Sequence, residues 1–172
     1  LATDLANLAS ELCGGTVTVT KVIDADGDLG STDDQTDGVG WSFNIDGDNY
    51  TTDGNGQTAS VEVVEGVYTV TETSQAGFVP VGAVCTSGDG TQGTWNSDNA
   101  VTGVDVGNTE IVSCTFYNAP LPTITVEKHV IGGGLSSDFS MHVKDSGDND
   151  VVGSPFAGNS SGTVVTVQPG TY

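Results

Sequence analysis

The sequence predicts an all-β protein built from tandem antiparallel β-sandwich modules. Three observations predict it: period-2 alternation of β-forming residues, turn-forming clusters at short intervals, and an internal repeat. Val17, Val19 and Lys21 alternate with Thr. Val61 and Val63 alternate again, as do Tyr68, Val70 and Glu72, then Val112, Cys114, Phe116 and Asn118. Branched and aromatic side chains spaced by two fit a pleated, half-buried strand. Asp24-Ala-Asp-Gly-Asp28, Asp46-Gly-Asp48, Asp53-Gly-Asn-Gly56 and Ser87-Gly-Asp-Gly90 separate these runs. Their Asp and Gly residues favour tight turns, and short strands at this spacing imply a sandwich.

The repeat sets the organisation. Thr16-Val-Thr-Val-Thr-Lys21 reads against Thr123-Ile-Thr-Val-Glu-Lys128, an offset of 107 residues. Trp41-Ser-Phe43-Asn-Ile45 matches Phe139-Ser-Met141-His-Val143, and Gly66-Val-Tyr68 matches Gly170-Thr-Tyr172, the last at an offset of 104. A repeat of this kind signals an array. The first module is expected over residues 15–118, a stiff Ala119-Pro-Leu-Pro122 linker follows, and a second module starts at Thr123. That module stops at a motif halfway through the first, so residues 123–172 are expected to be partial. Missing strands would come from a longer parent chain or from another chain by strand donation. Leu1, Leu5, Leu8 and Leu12 recur at helical spacing, which makes residues 1–14 a leader or one short amphipathic helix.

Composition narrows the function. Against 23 acidic residues stand 3 basic ones, a net charge of −20. Such a surface repels nucleic acid and anionic lipid, and no stretch is long and apolar enough to span a membrane. The Asp-, Gly- and Thr-rich composition points outside the cell, where disulfides persist. The chain opens on Leu1 with no signal peptide in view, as expected of a piece whose targeting segment is gone.

Strand parity brings three polar side chains onto apolar faces. Lys21 follows Val17 and Val19, Glu72 follows Tyr68 and Val70, and Asn118 follows Cys114 and Phe116. A buried lysine is costly unless paired or neutral. Yet two of the chain's three basic residues, Lys21 and Lys128, occupy the same repeat position. Burial lowers an amine's pKa and raises a carboxyl's. A neutral amine beside a protonated carboxyl and an amide is set up for condensation. Lys21 attacks the Asn118 amide, Glu72 shuttles protons, and ammonia leaves. The product is an intramolecular isopeptide bond made in a single turnover, not enzymology on a substrate. The alternative is a Lys21–Glu72 ion pair whose head reaches water. Lys128 would have its partners beyond Tyr172.

Thr-Val-Thr-Lys21, Gly66-Val-Tyr-Thr-Val-Thr-Glu72-Thr, Ala76-Gly-Phe78 and Cys114-Thr-Phe-Tyr-Asn118 resemble the B-type repeats of Gram-positive collagen adhesins and pilins. The second unit, with Ser137-Asp-Phe-Ser-Met141, Ser154-Pro-Phe156 and Pro169-Gly-Thr-Tyr172, is similar to the same group. The resemblance covers about nine tenths of the chain. It implies a prealbumin- or Ig-like sandwich, with Lys21 as nucleophile, Glu72 as proton shuttle and Asn118 as acceptor. The cysteines depart from the pattern.

The remaining residues yield weaker signals. Cys114 lies on a core face, and a Cys85–Cys114 disulfide would stabilise by roughly 3 kcal/mol in the chain-entropy treatment. Two free buried thiols are the alternative. Cys13 could bridge to a neighbouring subunit or stay free. Asp24, Asp26 and Asp28 alternate like the opening of a calcium loop, but Gln35 stands where a twelfth-position Glu would close it. A solvated turn is the preferred reading and no cofactor is expected, with calcium as the alternative. His129 and His142 lack neighbours at metal-ligand spacing.

Two functions follow. The first is a structural subunit or stalk of an extracellular cell-surface fibre, stiffened by isopeptide or disulfide cross-links and partnered by neighbouring repeats or copies of itself. The second is an adhesin module gripping a host protein or glycan, with Trp41, Trp95 and Tyr50 as contacts. No catalytic set for an enzyme stands out.

Overall fold

A computed structural model of the chain describes residues 14–172. The leader or helix expected before Gly14, and Cys13 with it, lie outside the described residues. The chain divides into two compact units, with the boundary between Pro120 and Leu121.

Among its described residues the first unit holds eleven strands: β1 (Gly14–Asp24), β2 (Gln35–Asp37), β3 (Ser42–Ile45), β4 (Asp48–Thr51), β5 (Val61–Val64), β6 (Gly66–Glu72), β7 (Phe78–Ser87), β8 (Gly90–Gln92), β9 (Thr94–Trp95), β10 (Ala100–Val106) and β11 (Ile111–Pro120). They form two sheets. One has the order β2-β1-β11-β7-β8, with β5 also on β1; the other has the order β4-β3-β6-β10-β9. All pairings are antiparallel except β1 with β11, which run parallel. First and last strands are therefore neighbours, with Lys21 opposite Phe116 and Ile23 opposite Asn118.

The core lies between the sheets. Val17 and Val19 of β1 and Val112, Cys114 and Phe116 of β11 face Phe43 and Ile45 of β3, Val70 of β6, and Val101, Val104 and Val106 of β10. The rings of Phe43 and Phe116 meet across it at 5.0 Å. Alternation in β1 is strict from Gly14 to Lys21, so the Thr residues line the outer face.

The second unit contains β12 (Thr123–Val126), β13 (Ser140–Met141), β14 (Phe156–Ala157) and β15 (Thr163–Thr166). They make two two-stranded sheets, β12-β15 and β13-β14, around a small core of Val143, Val165 and Val167. Local pairings of the first unit recur here. Val17 opposite Val61 has its counterpart in Ile124 opposite Val165. The Tyr68 hydroxyl donates to the Val64 carbonyl, and the Tyr172 hydroxyl donates to the Gln168 carbonyl.

The linker is shorter than the prolines suggest. Ala119 and Pro120 continue β11, opposite Val79 and Phe78 of β7. Pro120 is tolerated because it is the strand's last residue, where a missing N–H removes no interior rung. Pro122 already accepts a hydrogen bond from Val167 in the second unit, leaving Leu121 between the two ladders.

Candidate cross-link site

Three strands deliver the site. Lys21 and Asn118 come from adjacent strands β1 and β11 of one sheet, and Glu72 reaches over from β6 in the facing sheet. Each residue ends an apolar face, so strand regularity alone points all three inward. Lys21 is 0% exposed, Glu72 2% and Asn118 2%. The Lys21–Glu72 ion pair of the alternative reading is present, but it is buried and the lysine head does not reach water.

Glu72 bridges the other two. Its Oε2 lies 2.8 Å from Lys21 Nζ, and its Oε1 accepts a 2.6 Å hydrogen bond from Asn118 Nδ2. The Asn118 carbonyl oxygen is buried and has no hydrogen-bond partner. An orphaned buried acceptor costs about 1–3 kcal/mol and is uncommon away from functional positions. The arrangement places one carboxyl oxygen at the Lys21 amine nitrogen and the other at the Asn118 amide nitrogen.

Aromatic rings close the chamber. Lys21 Nζ sits 4.4 Å from the Trp41 ring centroid, and Trp41 packs edge-on against Phe78 at 5.2 Å. Gly38 lies over the lysine stem, where a Cβ would come 2.2 Å from Lys21 Cγ. Sequence reasoning missed both roles. The signal for Trp41 was its place at the head of the Trp41, Phe43, Ile45 alternation. Tyr50 and Trp95 also pack against the core, so none of the three proposed binding aromatics stands free on the surface.

Burial pushes the Lys21 amine down to about 8, against the hydrogen bond and charge of Glu72, which raise it. The sign matters for stability. In Asn118→Ala, where Lys21 must remain an amine, the unfolded chain binds the lysine proton more tightly than the folded one. Stability of that variant is expected to rise between about pH 8 and the unfolded value of 10.5. Urea midpoints across that window check it.

Lys128 has a partly similar setting. Its Nζ is 4.1 Å from the Phe139 ring centroid, the repeat counterpart of Trp41. Its backbone N–H donates to Asn159, as that of Lys21 donates to Gly56. A Cβ on Gly158 would fall 2.9 Å from the Lys128 stem. The second unit brings no counterpart of Glu72 or Asn118 among the described residues.

Cys85 and Cys114 form a disulfide between directly opposed positions of β7 and β11, both fully buried. The acidic turn after β1 is rearranged relative to the sequence reading. Carboxylate oxygens of Asp24, Asp26 and Asp34 lie within 4.8 Å of one another, whereas Asp28 is not in the group. Asp28 Oδ1 instead accepts the Gly30 N–H. His129 pairs with Glu127, and His142 with Asp150, both exposed.

No family model and no curated protein matches the chain. Among solved structures it is similar to the minor pilin of the Gram-positive pathogen Streptococcus agalactiae, with 18% identity and a TM-score of 0.42. The likeness covers 69% of this chain and 49% of the pilin, so it spans about half that protein's length. Among the described residues no helix is long and apolar enough to cross a membrane.

Proposed function

We propose that this chain is a structural module of an extracellular cell-surface fibre, stapled by an isopeptide bond between Lys21 and Asn118. The observation that carries the reading is the buried carboxyl of Glu72 held between amine and amide. Glu72 takes a proton from the Lys21 ammonium, and Nζ bonds to Asn118 Cγ. Glu72 then delivers its proton to Nδ2 and collects a second from the attacking nitrogen. The Cγ–Nδ2 bond breaks and one ammonia leaves. The chamber is closed to water, and burial lowers the Lys21 amine toward its neutral, nucleophilic form.

Mechanical sense supports a stalk. Force on an array enters a module near the start of β1 and leaves near the end of β11, loading this parallel pair in shear. A bond between Lys21 and Asn118 carries the load past the residues between them. The disulfide fits an oxidising, extracellular setting. Neighbouring repeats or further copies of the chain are the natural partners, and Lys128 would be the nucleophile of an equivalent staple in the second module.

Single-molecule extension tests this reading under reducing conditions. The first unit should lengthen hardly at all when pulled through its ends. Asn118→Ala should release the segment from Lys21 to position 118, up to roughly 330 Å of chain. Equal extension of both proteins would reject the stapled stalk.

A further inference from the structure

The turn after β1 carries a second chemistry, independent of the staple. Asp24 is 0% exposed, and its Oδ1 is buried without any hydrogen-bond partner. Asp34 Oδ1 is likewise buried and unpartnered. The other oxygen of each carboxylate is held: Gln35 Nε2 donates to Asp24 Oδ2, and the Asp26 N–H donates to Asp34 Oδ2. Asp26 Oδ1 in turn accepts the Asp28 N–H. Three carboxylates are thus oriented toward one another by neutral donors, and none of them is in an ion pair with a described lysine or histidine. Converging carboxylates repel, and a buried one lacking a counter-charge is expensive.

We infer that Asp24, Asp26 and Asp34 bind a calcium ion. The donors are all oxygens, as a hard cation requires, and calcium tolerates irregular geometry with water filling the open positions. Opposite ligands of an ion at roughly 2.4 Å stand roughly 4.8 Å apart, so the spread of these oxygens admits such an ion. This is not the loop with a twelfth-position ligand that the spacing suggested. Gln35 donates its amide to both Asp24 and the Ser31 carbonyl, and it orients the site instead of ligating. The third carboxylate arrives because β2 pairs back on β1, with Asp24 opposite Gln35, which returns Asp34 to the start of the turn. The ion would tie residues 24–35 shut at the same end of β1 that carries Lys21.

The test is calorimetric titration of the whole chain, stripped with chelator, with calcium chloride in 0.15 M sodium chloride. One saturable site is expected in the sub-millimolar to millimolar range, as for extracellular calcium modules, together with a raised melting temperature. Asp34→Asn and Asp26→Asn should each weaken binding by about tenfold or more, while Asp28→Asn should bind as the parent does. Because Asp26 is exposed, its variant keeps the test informative if replacing a more buried aspartate unfolds the turn. Absence of saturable binding would overturn the assignment. So would binding that survives in both variants, equal weakening by Asp28→Asn, which would mean diffuse attraction to a chain of charge −20, or a response to magnesium alone.

Discussion

Glu72→Gln is expected to leave Lys21 and Asn118 unjoined and to lower the melting temperature by on the order of 20 °C. Closing a loop of about 100 residues removes roughly 4–5 kcal/mol of unfolded-state entropy in the chain-entropy treatment. For a domain of this size each kcal/mol is worth about 4–8 °C. The glutamine keeps the shape and an acceptor for Asn118 but cannot shuttle protons. It also leaves the Lys21 ammonium buried without its counter-charge, a further cost of about 3–5 kcal/mol. Differential scanning calorimetry reads the stability, and intact mass reads the ammonia. A Glu72→Gln protein that still loses ammonia would remove Glu72 from the chemistry.

Replacing Cys85 and Cys114 together with alanine is expected to cost roughly 3 kcal/mol, or on the order of 10–20 °C, without affecting the isopeptide. The disulfide joins positions 29 apart within the span from Lys21 to Asn118, so it shortens a loop that the proposed staple would already close. Both sulfurs are fully buried, so a reductant should act only slowly on the folded module. Combining the alanine pair with Glu72→Gln removes both restraints, and that protein should be unfolded at 37 °C. Calorimetry of the three proteins checks the order. A Cys-free module as stable as the parent would show that the disulfide adds nothing to the fold.

Much of the site was legible because it lies on regular strands. Lys21, Glu72 and Asn118 are each placed by parity alone, and parity held through β1, β6 and β11. What parity cannot supply is which strands are neighbours. The parallel pairing of β1 with β11, and Glu72's position on the opposite sheet, are tertiary facts. The Cys85–Cys114 pairing depended in the same way on the β7–β11 register. Turns were the least legible. Asp28 fits the alternate-position spacing of a calcium loop, but its Oδ1 accepts the Gly30 N–H and it lies outside the cluster. Asp34 entered the cluster only through the pairing of Asp24 with Gln35. Proline misled at the linker, since Pro120 ends a strand as readily as it starts a spacer.

Intact mass spectrometry before and after reduction, followed by peptide mapping, tests the central claim most directly. The account predicts a mass lower by one ammonia than the reduced sequence requires, and a branched peptide joining Lys21 to Asn118. A mass showing only the hydrogens lost to the Cys85–Cys114 disulfide, with Lys21 recovered as a free amine, would contradict it.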